Sequence, residues 1–244
     1  MNKFIYNIPT KIYFGPDHLD NLGNELASCG KKVLLCYGGG SIKKSGLYDQ
    51  IKTRLEKTGL EISELSGIEP NPRVASVNAG AAICKKEGID VLLAVGGGSV
   101  IDCAKYIGAA AYYEGDAWDI LLQRVDVQKC LPIVTVLTLA ATGSEMDAGG
   151  VISNPETKDK IGLSFAPMQP KVSFLDPTLT FSVNTYQTAC GCADILSHIF
   201  ESYFVPQDGS MYMLDCVKEG LMKTVFRYAP IALKEPGHYE ARAN

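Results

Sequence analysis

Up to Pro177 the chain alternates short, β-branched-rich apolar runs with polar stretches of helical period. Residues 33–41, VLLCYGGGS, are an apolar run that ends in glycines, and residues 43–57 then place Leu47, Ile51 and Leu55 at the four-residue spacing of one helix face. Residues 60–65 alternate as a short strand, EPNPR (69–73) supplies a turn, and a helix follows to about Lys86. Residues 90–95 form the next strand, which runs into a second glycine turn; LPIVTVLTL (131–139) and KVSFLD (171–176) are further apolar runs rich in β-formers. Ahead of them Phe4, Ile5, Tyr6, Ile8, Ile12, Tyr13 and Phe14, interrupted by Pro9, predict an opening extended segment over residues 3–14. Strand and helix alternating through short connections make βαβ units, so the pattern predicts an α/β fold with a parallel sheet.

After Pro177 the texture changes. Residues 185–204 and 211–229 carry apolar residues three and four apart with no alternation, which predicts helices. The change falls at residues 177–184, with Asp176, Pro177 and Thr178 as the turn; this gives an α/β domain over residues 1–180 and a helical one over 181–244. The final KEPGHYEARAN reads as the start of another helix with Pro236 near its first turn, the pattern expected of a fragment or a truncated gene.

The most informative stretch is LLAVGGGSVIDCAK (92–105), where a buried strand meets glycines, a serine and then a helix. Glycine has no Cβ to obstruct a ligand, and the first turn of a helix leaves its N–H groups unpaired, so the amides of Gly97, Gly98 and Ser99 suit a phosphate. A ligand-free tight turn has the same local sequence. A second glycine-ended strand feeding a helix, at residues 38–41, makes a nucleotide crevice at the carboxyl ends of the two strands the more economical reading.

Composition narrows the partners. A net charge of −4 with no lysine or arginine run argues against nucleic acid and against anionic membrane surfaces, leaving small molecules. The N-terminus lacks the apolar core and cleavage site of a signal peptide, and no apolar run reaches spanning length, so a cytoplasmic protein is expected. Eight cysteines without CxxC or framework spacing fit reduced thiols; Cys190 and Cys192, which flank one glycine, are either a soft-metal or redox pair or small apolar fillers.

Asp194 and His198 lie one helical turn apart on one face, a spacing that suits either a divalent metal or a hydrogen-bonded pair. Neither His18 nor His238 has a convincing ligand context. TLAATGSEMD (138–147) gathers Thr138, Thr142, Ser144, Glu145 and Asp147 after a strand, as a ribose or phosphate site or as a Ser/Glu helix cap. Lys160 could reach a ribose hydroxyl or phosphate, or simply solvate a surface.

In this order and at these intervals, GGGSVID (96–102), ATGSE (141–145), FLDP (174–177) and the Asp194/His198 pair resemble the iron-dependent (group III) alcohol dehydrogenases. YGGGSIKKSG (37–46), GIEPNP (67–72) and LKEPGHYEARAN (233–244) are similar to its butanol dehydrogenase and broad-range aldehyde reductase branch. The resemblance implies a Rossmann-like dinucleotide-binding domain followed by the first part of an all-helical metal-binding domain. Gly97, Gly98 and Ser99 would hold the cofactor pyrophosphate, with Asp102 fixing that loop; Thr138, Asp147, Lys160 and Leu179 would line the ribose and nicotinamide; Gly39 and Ser41 would face the adenosine ribose, with Asn71 nearby.

The small uncharged GGGS loop stands where NAD-preferring relatives place an acidic residue, so NADP(H) is favoured over NAD(H). Asp194 and His198 would be two of four ligands to Fe2+ or, alternatively, Zn2+, the other two being histidines expected beyond Asn244. The implied chemistry is hydride transfer between nicotinamide and an aldehyde or primary alcohol, in a homodimer. Two other readings are a non-catalytic nucleotide-binding fragment lacking the remaining ligands, and a sugar-processing lyase of dehydroquinate synthase type on the same fold.

Overall fold

The structure is a computed structural model that describes residues 3, 5–206 and 211–244. Its elements run β1 (Lys11–Phe14), α1 (Leu22–Ala27), β2 (Lys32–Tyr37), α2 (Ser41–Lys44), α3 (Leu47–Lys57), β3 (Glu61–Leu65), α4 (Val74–Glu87), β4 (Val91–Gly96), α5 (Gly98–Ala110), α6 (Trp118–Leu121) and β5 (Ile133–Leu137). They continue with β6 (Gly149–Asn154), β7 (Asp159–Ser164), β8 (Val172–Leu175), α7 (Thr185–Tyr203), α8 (Tyr212–Lys234) and α9 (Tyr239–Ala243). The backbone divides into two compact units: one takes the chain up to Leu137 together with Gly143–Leu175, the other Thr138–Thr142 together with Asp176–Asn244.

The first unit is built on a six-stranded sheet of order β1-β8-β5-β4-β2-β3, parallel throughout, as the alternation of strands and helices predicts. The central strands β2, β4 and β5 are apolar on both sides because helices cover both faces of a parallel sheet. In-register pairing of Leu34 with Leu92 and of Cys36 with Ala94 turns those residues toward α4 and α5, into the main core cluster with Val77, Ile101, Ala104 and Ile107. Helix α5 carries eleven buried residues of thirteen, an apolar circumference that belongs to a helix inside the protein rather than on it.

The chain runs outward from β2 to β3 and then crosses to β4 on the other side of β2, so the order of strands reverses between β2 and β4. At such a switch point the two carboxyl-terminal turns diverge and leave a crevice. Both glycine turns read from the sequence sit there, at the adjacent strands paired through Tyr37 and Val95.

Three local expectations need correction. Residues 43–57 form two helices, because Gly46 takes a left-handed backbone (φ 76°) between α2 and α3. The opening extended segment becomes a strand only over Lys11–Phe14, where β8 offers four partners; Ile5, Tyr6 and Ile8 are exposed and Phe4 lies outside the described residues. The last helix starts at Tyr239, capped by His238 Nδ1, which accepts the Ala241 N–H at 3.2 Å; Pro236 precedes the cap instead of opening the helix. Sequence reading also passed over the antiparallel hairpin β6–β7.

In the second unit Asn184 caps α7 by accepting the Gln187 N–H at 2.8 Å, and Asp176 accepts the Thr178 N–H at 2.9 Å in the preceding turn. Tyr203 donates to Glu219 and Lys218 to the Ser202 carbonyl, joining α7 to α8. Gly191 lets α7 approach the 138–142 segment: a Cβ there would stand 2.8 Å from the Ala140 carbonyl oxygen. None of the helices among the described residues is long and apolar enough to cross a membrane.

Candidate functional site

At the end of β4, Gly97 is extended and α5 begins at Gly98, so the Gly98 and Ser99 N–H groups fall in a first turn that offers them no intrahelical acceptor. The Gly97 carbonyl already accepts from Val100 and Ile101, which fixes that turn. At thirteen residues α5 presents a positive dipole end to whatever sits over the turn.

Around this turn the structure joins three residues far apart in sequence. The Asn71 N–H donates to Ser99 Oγ at 3.2 Å, and Lys160 Nζ donates to Asn71 Oδ1 at 2.7 Å. Asn71 is held at φ 54°, an uncommon conformation for a residue that precedes proline, and it ties the EPNP turn to α5 and to β7. Asn71 and Lys160 are both exposed, while Gly98 is buried and Ser99 half-buried, so one cation stands at the solvent side of the helix start. At the neighbouring strand end Gly39 and Ser41 are also exposed, and the Glu64 carboxylate nearby is occupied by the hydroxyls of Tyr37 (2.8 Å) and Tyr48 (2.6 Å).

Behind the turn lies a buried polar network. Asp102 Oδ2 accepts the Val151 N–H at 2.9 Å and its Oδ1 accepts from Ser144 Oγ at 2.5 Å. Ser144 in turn accepts from Lys105 Nζ at 3.0 Å, and Lys105 also donates to Asp147 Oδ1 at 2.7 Å and to the Gly149 carbonyl at 2.6 Å. Burial pushes the Asp102 carboxyl above the usual aspartate range, against the hydrogen bonds from Ser144 and Val151 that favour its charge. Ser144 is thus buried and bonded to both Asp102 and Lys105.

Among residues named from the sequence, Gly39, Ser41, Asn71, Gly97, Gly98, Ser99, Asp102, Asp147 and Lys160 belong to the first unit, and Thr138, Leu179, Asp194 and His198 to the second. On α7, Asp194 Oδ1 and His198 Nε2 stand 3.8 Å apart with both side chains about half exposed. Two ligands of one tetrahedral ion at about 2.1 Å are about 3.4 Å apart, so the pair fits one metal after a small side-chain adjustment. No third metal-ligating side chain joins them among the described residues. Cys190 and Cys192 are two apart on α7, a spacing at which side chains do not face each other; both are free thiols. Burial raises the thiols of Cys84, Cys103 and Cys130 to about 12, so none is a nucleophile at neutral pH.

The model of the iron-containing alcohol dehydrogenase family matches residues 9–177. The chain belongs to that family. Among its relatives, the NADH-dependent butanol dehydrogenase B of Clostridium acetobutylicum is 51% identical over the whole chain, and the NADPH-dependent aldehyde reductase of Escherichia coli is 40% identical. The chain covers 62% and 63% of their respective lengths. The crystal structure of an NADH-dependent butanol dehydrogenase A from Thermotoga maritima superposes with a TM-score of 0.96 at 43% identity, covering all of this chain and 61% of that one.

In this member of the family, Lys105 is what sequence reading missed. A signal existed: Lys105 is the one basic residue in the apolar run SVIDCAKYIGAA, and a charge in a helix buried all round must find partners.

Proposed function

We propose that the chain binds a nicotinamide dinucleotide over the Gly97–Ser99 turn and, as part of a whole enzyme, serves hydride exchange between that cofactor and an aldehyde or primary alcohol. The observation that carries this reading is the turn at the strand-order reversal, where free helix-start amides and the Ser99–Asn71–Lys160 chain converge. Gly98 and Ser99 donate to the pyrophosphate, Lys160 adds a cation, and Asn71 orients that cation. Asp102 holds the start of α5 against β6, so the amides are positioned before the ligand arrives. The names of the relatives, butanol dehydrogenases and an aldehyde reductase, support the substrate class.

The loop at residues 38–41 is uncharged with Gly39 and Ser41 exposed, the neighbouring Glu64 is tied to two tyrosines, and Lys43 and Lys44 follow in α2. Such a surface admits a 2′-phosphate, which supports NADP(H) over NAD(H). Asp194 and His198 would hold a divalent metal, Fe2+ before Zn2+; when bound, such an ion supplies a Lewis acid that draws charge from a carbonyl oxygen. A cytoplasmic homodimer is the setting that goes with this reading.

Titration calorimetry of the 244-residue chain with NADPH and with NADH tests it, followed by reduction of butanal by the whole gene product with Fe2+ or Zn2+. Saturable binding with NADPH the tighter ligand is expected. Failure of both dinucleotides to bind would refute the reading.

A further inference from the structure

Lys105 has no exposed surface, and its charge is more than the fold of α5 requires, since an apolar side chain of that length would fill the same space. All three of its N–H groups are spent, and every acceptor lies in one short stretch: Ser144, Asp147 and Gly149. The same stretch is pinned once more where Ser173 Oγ donates to the Glu145 carbonyl at 2.7 Å. Asp147 is the exception to the burial of its partners. Its side chain is about half exposed; Oδ1 takes both Lys105 and the Gly149 N–H, while Oδ2 has no protein donor among the described residues.

We infer that Lys105 is the positioning residue for the nicotinamide half of the cofactor: it fixes residues 144–149 on α5 and turns Asp147 so that its second carboxylate oxygen is presented to a ribose hydroxyl. This rests on the dinucleotide reading above. The lysine touches no ligand. It supplies the fixed charge that lets a carboxylate stand at the surface with one oxygen locked and one available, and Ser144 passes the same constraint to Asp102 at the start of α5. The adenosine half, over the 38–41 loop, has no part in this network.

The test compares the parent 244-residue chain with Lys105→Met and Ser144→Ala, by calorimetry with whichever of NADH and NADPH the parent binds more tightly and with the matching half-cofactor that lacks the pyrophosphate, AMP or 2′,5′-ADP. Circular dichroism establishes that each variant is folded. Lys105→Met is expected to raise the dissociation constant of the whole cofactor at least tenfold and Ser144→Ala at least threefold, with the half-cofactor unchanged within twofold. Ser144→Ala leaves the lysine charge in place and decides the matter if Lys105→Met does not fold. Equal losses for whole and half cofactor mean a general structural role and overturn the inference, as does unchanged binding in a folded variant. A parent that binds neither dinucleotide overturns the dinucleotide reading and this inference with it.

Discussion

Replacing Gly96 by alanine tests the geometry of the phosphate turn directly. Gly96 ends β4 and is not among the left-handed glycines, so alanine can adopt its backbone and any cost is steric. The new Cβ would stand 2.6 Å from Val100 Cγ2, 2.8 Å from its Cβ and 3.3 Å from its Cγ1. Carbon atoms in contact sit about 3.5–4.0 Å apart, so the shortfall is about 0.7–0.9 Å. Rotating Val100 offers no relief, because a β-branched residue in a helix has one favoured rotamer and the Cβ to Cβ approach survives any rotation. Helix α5 cannot slide away as a whole, since Lys105 anchors it one turn beyond Asp102. The first turn must therefore distort, at an overpacking cost of about 1–3 kcal/mol.

For a unit of this size that corresponds to a fall in melting temperature of about 2–4 °C per kcal/mol. Displacing the Gly98 and Ser99 amides by most of an ångström stretches hydrogen bonds of about 2.9 Å beyond useful length, so dinucleotide affinity should fall about tenfold or more. Scanning calorimetry and a titration of NADPH read the two effects. A Gly96→Ala chain that melts within about 1 °C of the parent and binds as tightly would refute both the close strand-to-helix packing and the placement of the ligand over this turn.

Two further outcomes follow from other residues. Asp90 accepts the Lys32 and Lys31 N–H groups, which hold its carboxyl below the usual aspartate range. A lowered folded value contributes stability above the unfolded pKa of about 4 and loses it as pH falls through the folded value; Asp90→Asn should cost about 1 kcal/mol at pH 7, with the gap in urea midpoint closing below about pH 4. On α7, His198→Ala should reduce Fe2+ or Zn2+ uptake at least about tenfold, measured by metal analysis after dialysis, while leaving dinucleotide affinity within about twofold.

The sheet was legible because parallel strands covered on both faces are continuous apolar runs, and those around residues 33–37, 91–95 and 133–137 could be nothing else. The glycine turns were legible because close approach to a helix start needs a particular residue type. Hairpin β6–β7 escaped because β7 is mostly exposed and polar, and its place is set by packing of β6 on α5. The hydroxyl cluster at residues 138–147 was read as a unit, yet the structure sends Ser144 inward to Asp102 while Asp147 stays at the surface. Local sequence records that such side chains can hydrogen-bond but not which partner a distant segment delivers, and Asn71 meeting Lys160 across 89 positions is the same case.

Strand β1 pairs only with β8, Lys11 opposite Val172, with Thr10 bonded to the Pro170 carbonyl and Gly15 to that of Leu175. During synthesis the first strand made is therefore the last that can be seated. Until about residue 175 has left the ribosome, β5 has an open edge and β1 has nowhere to dock. Closing so long a loop for a four-residue strand is slow relative to the local βαβ steps, and the growing polypeptide meets the cell in that half-finished, edge-exposed form.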